Sequence, residues 1–329
     1  MFATLLGALP RPPLPSGATD DDLVRAALEA QEAEGLEPLT DGELRWPGGV
    51  LAELVASQLR PRARGERPLT VDAWTFAASV TPRAVKQAVP GPYSLGHLAA
   101  GGKNVAQRRE LTFTLADRIG REVGALARAG CPLVEVHEPA FTTLAEEPEK
   151  DLAGEAHARL MRAASGTGDG DAIHLSLAIT GGSASPDLAS MIASAGYASL
   201  AVDLIDGPDN WRLAAQWPGD LGLLCGALTS ADGPDAGPEI LLWAADYGAS
   251  LGGRGWVRTG LATASSMAEL PWSTALARMR RLGQVVRLRE LPPEDRLGGI
   301  DPRAVSSRSA ALGRFEPPGS EGSRRAERA

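Results

Sequence analysis

Leu133-Val134-Glu135-Val136-His137-Glu138-Pro139-Ala140-Phe141 reads as a β-strand halted by a proline. Side chains alternate between the faces of a strand, so Val134 and Val136 share one face and Leu133, Glu135 and His137 share the other. A carboxylate and an imidazole on one inner face mark a polar pocket at the strand's end. A salt-linked pair at a solvated rim has the same pattern, so the rest of the chain must discriminate.

Working outward, the same unit recurs. Upstream, Phe2 to Leu9 reads as a strand, and Asp20, Asp21 and Asp22 open a helix that Gly35 closes. Leu36 to Leu39 and Ala84 to Val89 read as further strands, with a helical segment near Val50 to Leu59 and a variable region near Thr70 to Ser79 between them. A long helical pattern from Val105 to Ala129 leads through Gly130 into the central strand. Downstream, strands at Ala172 to Ala178, Ser199 to Asp203, Leu221 to Leu228 and Gly255 to Thr259 alternate with helical patterns, the last near Ser273 to Arg289. Short apolar strands alternating with helices imply a parallel sheet, and about eight uninterrupted units favour a single closed (β/α)8 barrel of the TIM type. The expected barrel covers residues 1–290, and 291–329, rich in Pro, Ser, Arg and Gly, form a low-complexity tail expected to be disordered.

The 329 residues are 43% hydrophobic and 22% charged, enough for a full core. No apolar run approaches the roughly 20 residues that span a bilayer, so no membrane span is expected. The short run at Phe2 to Leu9 has no basic residue before it and is read as a strand rather than a signal peptide. A net charge of −8 offers no footprint for nucleic acid, and Arg60-Pro61-Arg62-Ala63-Arg64 reads as a solvated loop. Two cysteines, Cys131 and Cys225, make neither a disulfide framework nor a C-x-x-C motif, which points to a reducing cytoplasm. There is no dinucleotide fingerprint or P-loop, and Gly166 to Asp171 reads as a flexible connection.

In such a barrel the active site is built at the C-terminal ends of the strands. The candidates there are Glu43 after the second strand, Glu135 and His137, then His174 and Ser176 on one face of their strand, Asp203 ending the next, and Thr259 before the last helix. His137 and His174 would meet on one rim. Cys225 reads as a core thiol, and His97 and His157 as surface or loop residues.

The chain also resembles the cobalamin-independent methionine synthases, in their catalytic barrel and its shorter archaeal-type relatives. Thr4-Leu5-Leu6-Gly7-Ala8-Leu9-Pro10 is similar to the family's T-x-x-G-S-x-P, Asp41-Gly42-Glu43-Leu44-Arg45 to its D-G-E-x-R, Gly91-Pro92-Tyr93-Ser94 to its G-P-x-T, and Glu138-Pro139-Ala140 to its D-E-P-A. The resemblance covers Phe2 to about Arg289. Taken with the strand-face reading, it leads to the expectation that Glu43, Glu135, His137 and His174 carry catalysis, with Asp41, Arg45, Glu138, Ser176, Asp203 and Thr259 around a small-molecule ligand at the barrel mouth.

The resemblance breaks at the chemistry. Family members activate a thiol on zinc and methylate it from methyltetrahydrofolate. The positions implied for their zinc ligands hold His174, Ser176, Asp203 and Thr259, with no thiolate, so zinc is not expected. Ala8 replaces the serine that holds the amino acid, His137 the aspartate that pairs with its amine, and Thr143 a later acidic residue; no histidine follows Cys225-Gly226. The folate-stacking tryptophan falls near Leu98, with Trp46 or Trp74 as substitutes. The leading expectation is a methyl- or alkyl-transferase acting on an acceptor other than homocysteine, with a reduced folate or other pterin as donor. The alternatives are a noncatalytic small-molecule binder and a metal-free lyase or decarboxylase related to uroporphyrinogen decarboxylase.

Overall fold

The computed structural model describes residues 1–46, 68–101, 104–165, 173–235 and 237–296. Within them the chain forms eight parallel strands: β1 (Phe2–Thr4), β2 (Leu39–Thr40), β3 (Val85–Pro90), β4 (Leu133–His137), β5 (His174–Ile179), β6 (Ser199–Asp203), β7 (Gly222–Leu228) and β8 (Thr259–Thr263). They pair in the order β1-β8-β7-β6-β5-β4-β3-β2. The remaining seam is drawn together where the Glu37 amide donates to Ala3 O at 2.9 Å and the Thr4 hydroxyl donates to Pro38 O at 2.6 Å. The result is a nearly closed (β/α)8 barrel. The segments read as a helix at 50–59, a basic loop at 60–64, a glycine-rich connection at 166–171 and most of a tail, at 297–329, lie outside the described residues.

The surrounding helices are α1 (Asp20–Ala33), α2 (Val71–Ser79), α3 (Pro92–Ala100), α4 (Val105–Arg128), α5 (Glu147–Ser165), α6 (Leu188–Ala195), α7 (Asn210–Gln216), α8 (Pro238–Ser250), α9 (Trp272–Glu290) and the short α10 (Pro293–Arg296). Their ends follow the local chemistry. Thr19 and Asp22 make a reciprocal capping box at α1, and Asn104 and Gln107 do the same at α4. In α4, Leu115, Ile119, Val123 and Leu126 form a buried stripe of helical period.

The barrel has two apolar layers. Outward residues such as Val134, Val136, Leu177 and Leu223 meet the helices in the main core. Inside the barrel, Leu6, Ala178, Ala201, Leu224 and Ala262 form a small separate plug. These small side chains fill the waist of the barrel and leave space above and below it.

Several boundaries differ from the sequence expectation. The first strand ends at Thr4 rather than Leu9, because Gly7 turns the chain at φ 73° and lays residues 5–9 across the mouth, where Leu6 N donates to Thr263 Oγ1 at 2.9 Å. The region near 70–79 is helix α2. The last strand begins at Thr259 instead of ending there. Gly260 continues the strand as an inward position whose missing side chain makes room for the Phe2 ring; a Cβ there would lie 2.6 Å from that ring.

One strut places the loops at the top of β3 and β4. Glu138 is fully buried and accepts hydrogen bonds from Tyr93 N at 2.9 Å and Ser94 N at 2.7 Å, at the amino end of α3. A carboxylate there answers the unpaired amides and the positive end of the helix dipole. Gly91 is required by this seat, since a Cβ on it would lie 2.1 Å from Glu138 Cδ. Gly91→Ala is expected to destabilise the protein by about 3 kcal/mol, through overpacking and a displaced buried carboxylate. Chemical denaturation compared with the parent measures it; a loss below about 0.5 kcal/mol would mean that the carboxylate is free to move.

Candidate functional site

The mouth of the barrel holds a cavity of about 540 Å³. Its walls come from the loops after β1, β2 and β8 and from the upper ends of β3, β4 and β5. Glu43, His137, Arg11, Ser94 and Glu269 are among its polar groups, and Trp46 supplies an aromatic wall. Trp74 is instead buried, its indole donating to Val85 O at 2.9 Å.

His137 ends β4 and points into this cavity, with Glu135 one pleat below it on the same face. Glu135 Oε1 is 2.7 Å from His137 Nε2, and Glu135 Oε2 is 2.7 Å from Lys86 Nζ. Glu135 and Lys86 are only 1% and 2% exposed. Burial alone would raise the Glu135 carboxyl, but Lys86 and His137 outweigh it and bring it down to about 2. Glu135 therefore stays ionised inside the barrel. An ionised carboxylate can only accept, so His137 presents Nε2–H to it and leaves Nδ1 as the ring nitrogen not engaged by Glu135.

Glu43 reaches the mouth by an unusual backbone. Its φ is 56°, in the left-handed region that favours glycine, and it is the sole non-glycine with positive φ among the described residues. Asp41 supports the turn: its Oδ1 accepts from Glu43 N at 3.0 Å, while Oδ2 is buried with no hydrogen-bond partner among the described residues. Burial pushes the Asp41 carboxyl up to about 6, against the Glu43 amide, which pulls it down.

The other candidates are dispersed. Arg45 pairs with Asp21 and lies over the Phe76 ring, 4.8 Å from its centroid, so it braces the β2 loop rather than lining the cavity. Glu138 is the strut beneath α3 and is not accessible to a ligand. Behind it, His157 is buried and not a surface residue: its Nδ1 is 2.7 Å from Tyr197 Oη, and its Nε2 lies 3.0 Å from Glu138 Oε1 without hydrogen-bond alignment. Asp203 does end β6, but its carboxylate accepts from the amides of Gly181, Ile205 and Asp206 at 2.9 to 3.0 Å, stitching two loops together.

His174, Ser176 and Thr259 overturn the expected rim. His174 is the first residue of β5, not a residue near its end, and its Nε2 is 2.8 Å from Ser199 Oγ. His137 pairs in register with Ala178, so His174 sits four residues lower, about 13 Å along the strand at about 3.3 Å per residue. Ser176 lies inside the barrel below the plug, and Thr259 starts β8 with its hydroxyl donating to Gly255 O. The physical reason is register: β5 and β8 begin where the sequence reading placed their middle or end.

The zinc site implied by the resemblance does not fit these residues. Its four positions span both ends of the barrel. Cys225 faces α8, with Sγ 3.8 Å from Ala244 O, and Cys131 precedes β4; burial pushes both thiols up to about 12. Neither offers a thiolate to the mouth. Among the described residues, no three His, Cys, Asp or Glu side chains converge as metal ligands.

Sequence reasoning missed Lys86. The signal was present, since in Val85-Lys86-Gln87-Ala88-Val89-Pro90 the lysine shares a face with Ala88 and Pro90, as Glu135 does with His137. A charged residue on that face of a buried strand needs a partner of opposite sign.

Comparison with known proteins agrees with this architecture. No protein-family model matches the chain. It is 32% identical over 148 residues to a methionine synthase of Saccharolobus solfataricus and 28% identical over 152 residues to one of Sulfurisphaera tokodaii, in each case covering 39% of this chain and 44% of the relative. The match thus spans less than half the length of these relatives. Among solved structures, a B12-independent methionine synthase from Shewanella sp. W3-18-1 in complex with selenomethionine superposes with a TM-score of 0.67 at 16% identity, covering 87% of this chain and 97% of that one. A methyltransferase from Methanosarcina mazei gives 0.58 at 13% identity, covering 85% and 91%.

Asp41 makes a prediction. Its folded-state value lies above that of an exposed aspartate, so ionising it opposes folding, and that stability is lost as pH rises through about 6. Asp41→Asn is expected to raise stability at pH 8 by on the order of 2 kcal/mol, with the gain vanishing below about pH 4. Denaturation midpoints at the two pH values decide it, and an equal effect at both would show that the carboxyl is not desolvated.

Proposed function

We propose that this chain, a divergent relative of the cobalamin-independent methionine synthases, transfers a methyl or alkyl group from a reduced pterin such as a folate to a small acceptor that is not a thiol. The observation that carries this reading is the mouth itself: Glu43 and His137 line one cavity about 540 Å³ in volume, while both cysteines are buried elsewhere. That volume suits a heterocyclic ligand.

A thiol acceptor depends on a thiolate, which zinc makes available in the named relatives' family as the resemblance describes it. Here the resource is an imidazole held by an ionised carboxylate. His137 Nδ1 takes the proton of the acceptor as the acceptor's lone pair forms the new bond to carbon. The electron pair of the broken carbon–nitrogen bond remains on the donor nitrogen, which takes up a proton. Glu135 fixes the orientation of the ring, and Lys86 keeps Glu135 ionised. Glu43, pinned by its strained turn, hydrogen-bonds the polar edge of the pterin, and Trp46 offers its ring a stacking face. An imidazole in place of an aspartate no longer attracts a substrate ammonium, so homocysteine is rejected as acceptor.

Calorimetric titration with 5-methyltetrahydrofolate tests this. The expected result is saturable one-to-one binding that a zinc chelator does not change and that Glu43→Ala weakens by about tenfold, or 1.4 kcal/mol. Incubation with homocysteine is expected to yield no methionine. A folded protein that binds no reduced folate, or one that holds a zinc ion per chain and methylates homocysteine, would overturn the reading.

A further inference from the structure

A second cavity, of about 640 Å³, opens at the opposite, N-terminal end of the barrel, below the plug. The interior of a (β/α)8 barrel is ordinarily filled with side chains, and a space of this size needs an explanation. Its ceiling is the Lys86–Glu135 ion pair, and His174, Ser176 and Ser199 face into it. Ser176 is 1% exposed, and its Oγ has no hydrogen-bond partner among the described residues. A sealed hydroxyl in that state costs free energy unless something in the cavity meets it.

The walls define the guest. Phe2, Pro38 and Leu224 supply apolar surface on different sides. The two buried charges in the ceiling already neutralise each other at 2.7 Å, which leaves no charge for an ionic guest to satisfy. His174, at the exposed start of β5, has its value lowered by partial burial and so disfavours a positive charge. The charged rim residues Glu37, Asp220 and Arg258 carry both signs and select neither.

We propose that this N-terminal cavity is a second ligand site, built for an uncharged, compact aromatic or heterocyclic molecule carrying one amide-like group that pairs with Ser176 and His174. The plug and the Lys86–Glu135 pair stand between this cavity and the mouth, and the test of the site does not use activity.

Benzamide is a suitable probe, a neutral ring with one amide. The full chain with isotope-labelled histidines is titrated with benzamide and followed by NMR. Saturable movement of the His174 ring signals, with His97 still, is expected. Ser176→Val, which removes the hydroxyl at similar size, is expected to weaken binding by about fivefold to tenfold. Ala198→Leu, which fills the cavity from its wall, is expected to abolish binding with no loss of melting temperature. An unmoved His174 in the parent protein, a response confined to His137, or an affinity that neither variant changes would overturn the proposal; the first two readouts need no variant to fold.

Discussion

A lysine and a glutamate face each other inside this barrel, 2.7 Å apart and both almost sealed from water. Removing two such charges from water costs several kcal/mol for each ion, and only close pairing offsets it. Each ion therefore commits the other. Lys86 on β3 is matched by Glu135 on β4, and Lys86 together with His137 keeps the Glu135 carboxyl low against its burial. The pair joins the two strands through their side chains as well as their backbones. It also leaves one carboxylate oxygen for His137, and so converts a structural ion pair into support for a group at the mouth. The chain Lys86–Glu135–His137 runs from below the waist of the barrel to its top.

The rest of the mouth is held by polar groups spent on the backbone. Glu138 seats α3, Asp203 binds the loops after β5 and β6, and Asp41 holds the turn that carries Glu43. Of the carboxylates in these loops, Glu43 and Glu269 line the cavity, whereas Asp41, Glu138 and Asp203 are spent on backbone amides. A wide mouth built from loops needs such internal hydrogen bonds, because loops lack the ladder that fixes a strand. The apolar plug then closes the floor, and the small residues that form it account for open space on both sides.

Much of the architecture was legible in the sequence. Alternation in Leu133 to His137 assigned the inward face correctly, and the repeated strand and helix pattern led to the eightfold barrel. Parity also held information that motif resemblance obscured: Glu138 falls on the face of Val134 and Val136, toward the helices, where the structure places it. Cys225 likewise alternates with the inward Leu224 and Gly226. What could not be read was register along the strand axis. Periodicity says which face a residue takes but not its height, so His174 and Thr259 looked like rim residues although they lie at the far end. Lys86 escaped because its strand was read for its apolar residues alone.

The buried carboxylate Glu135, kept ionised by Lys86, dictates the tautomer of the His137 ring. Nitrogen-15 NMR of the His137 imidazole at pH 8 tests it most directly, comparing the parent with the double variant Lys86→Met, Glu135→Leu, which removes the pair without leaving an unmatched charge. The expected result is a single tautomer in the parent, protonated at Nε2, and a mixture of tautomers in the double variant. A parent ring protonated at Nδ1, or the same tautomer pattern in both proteins, would contradict it.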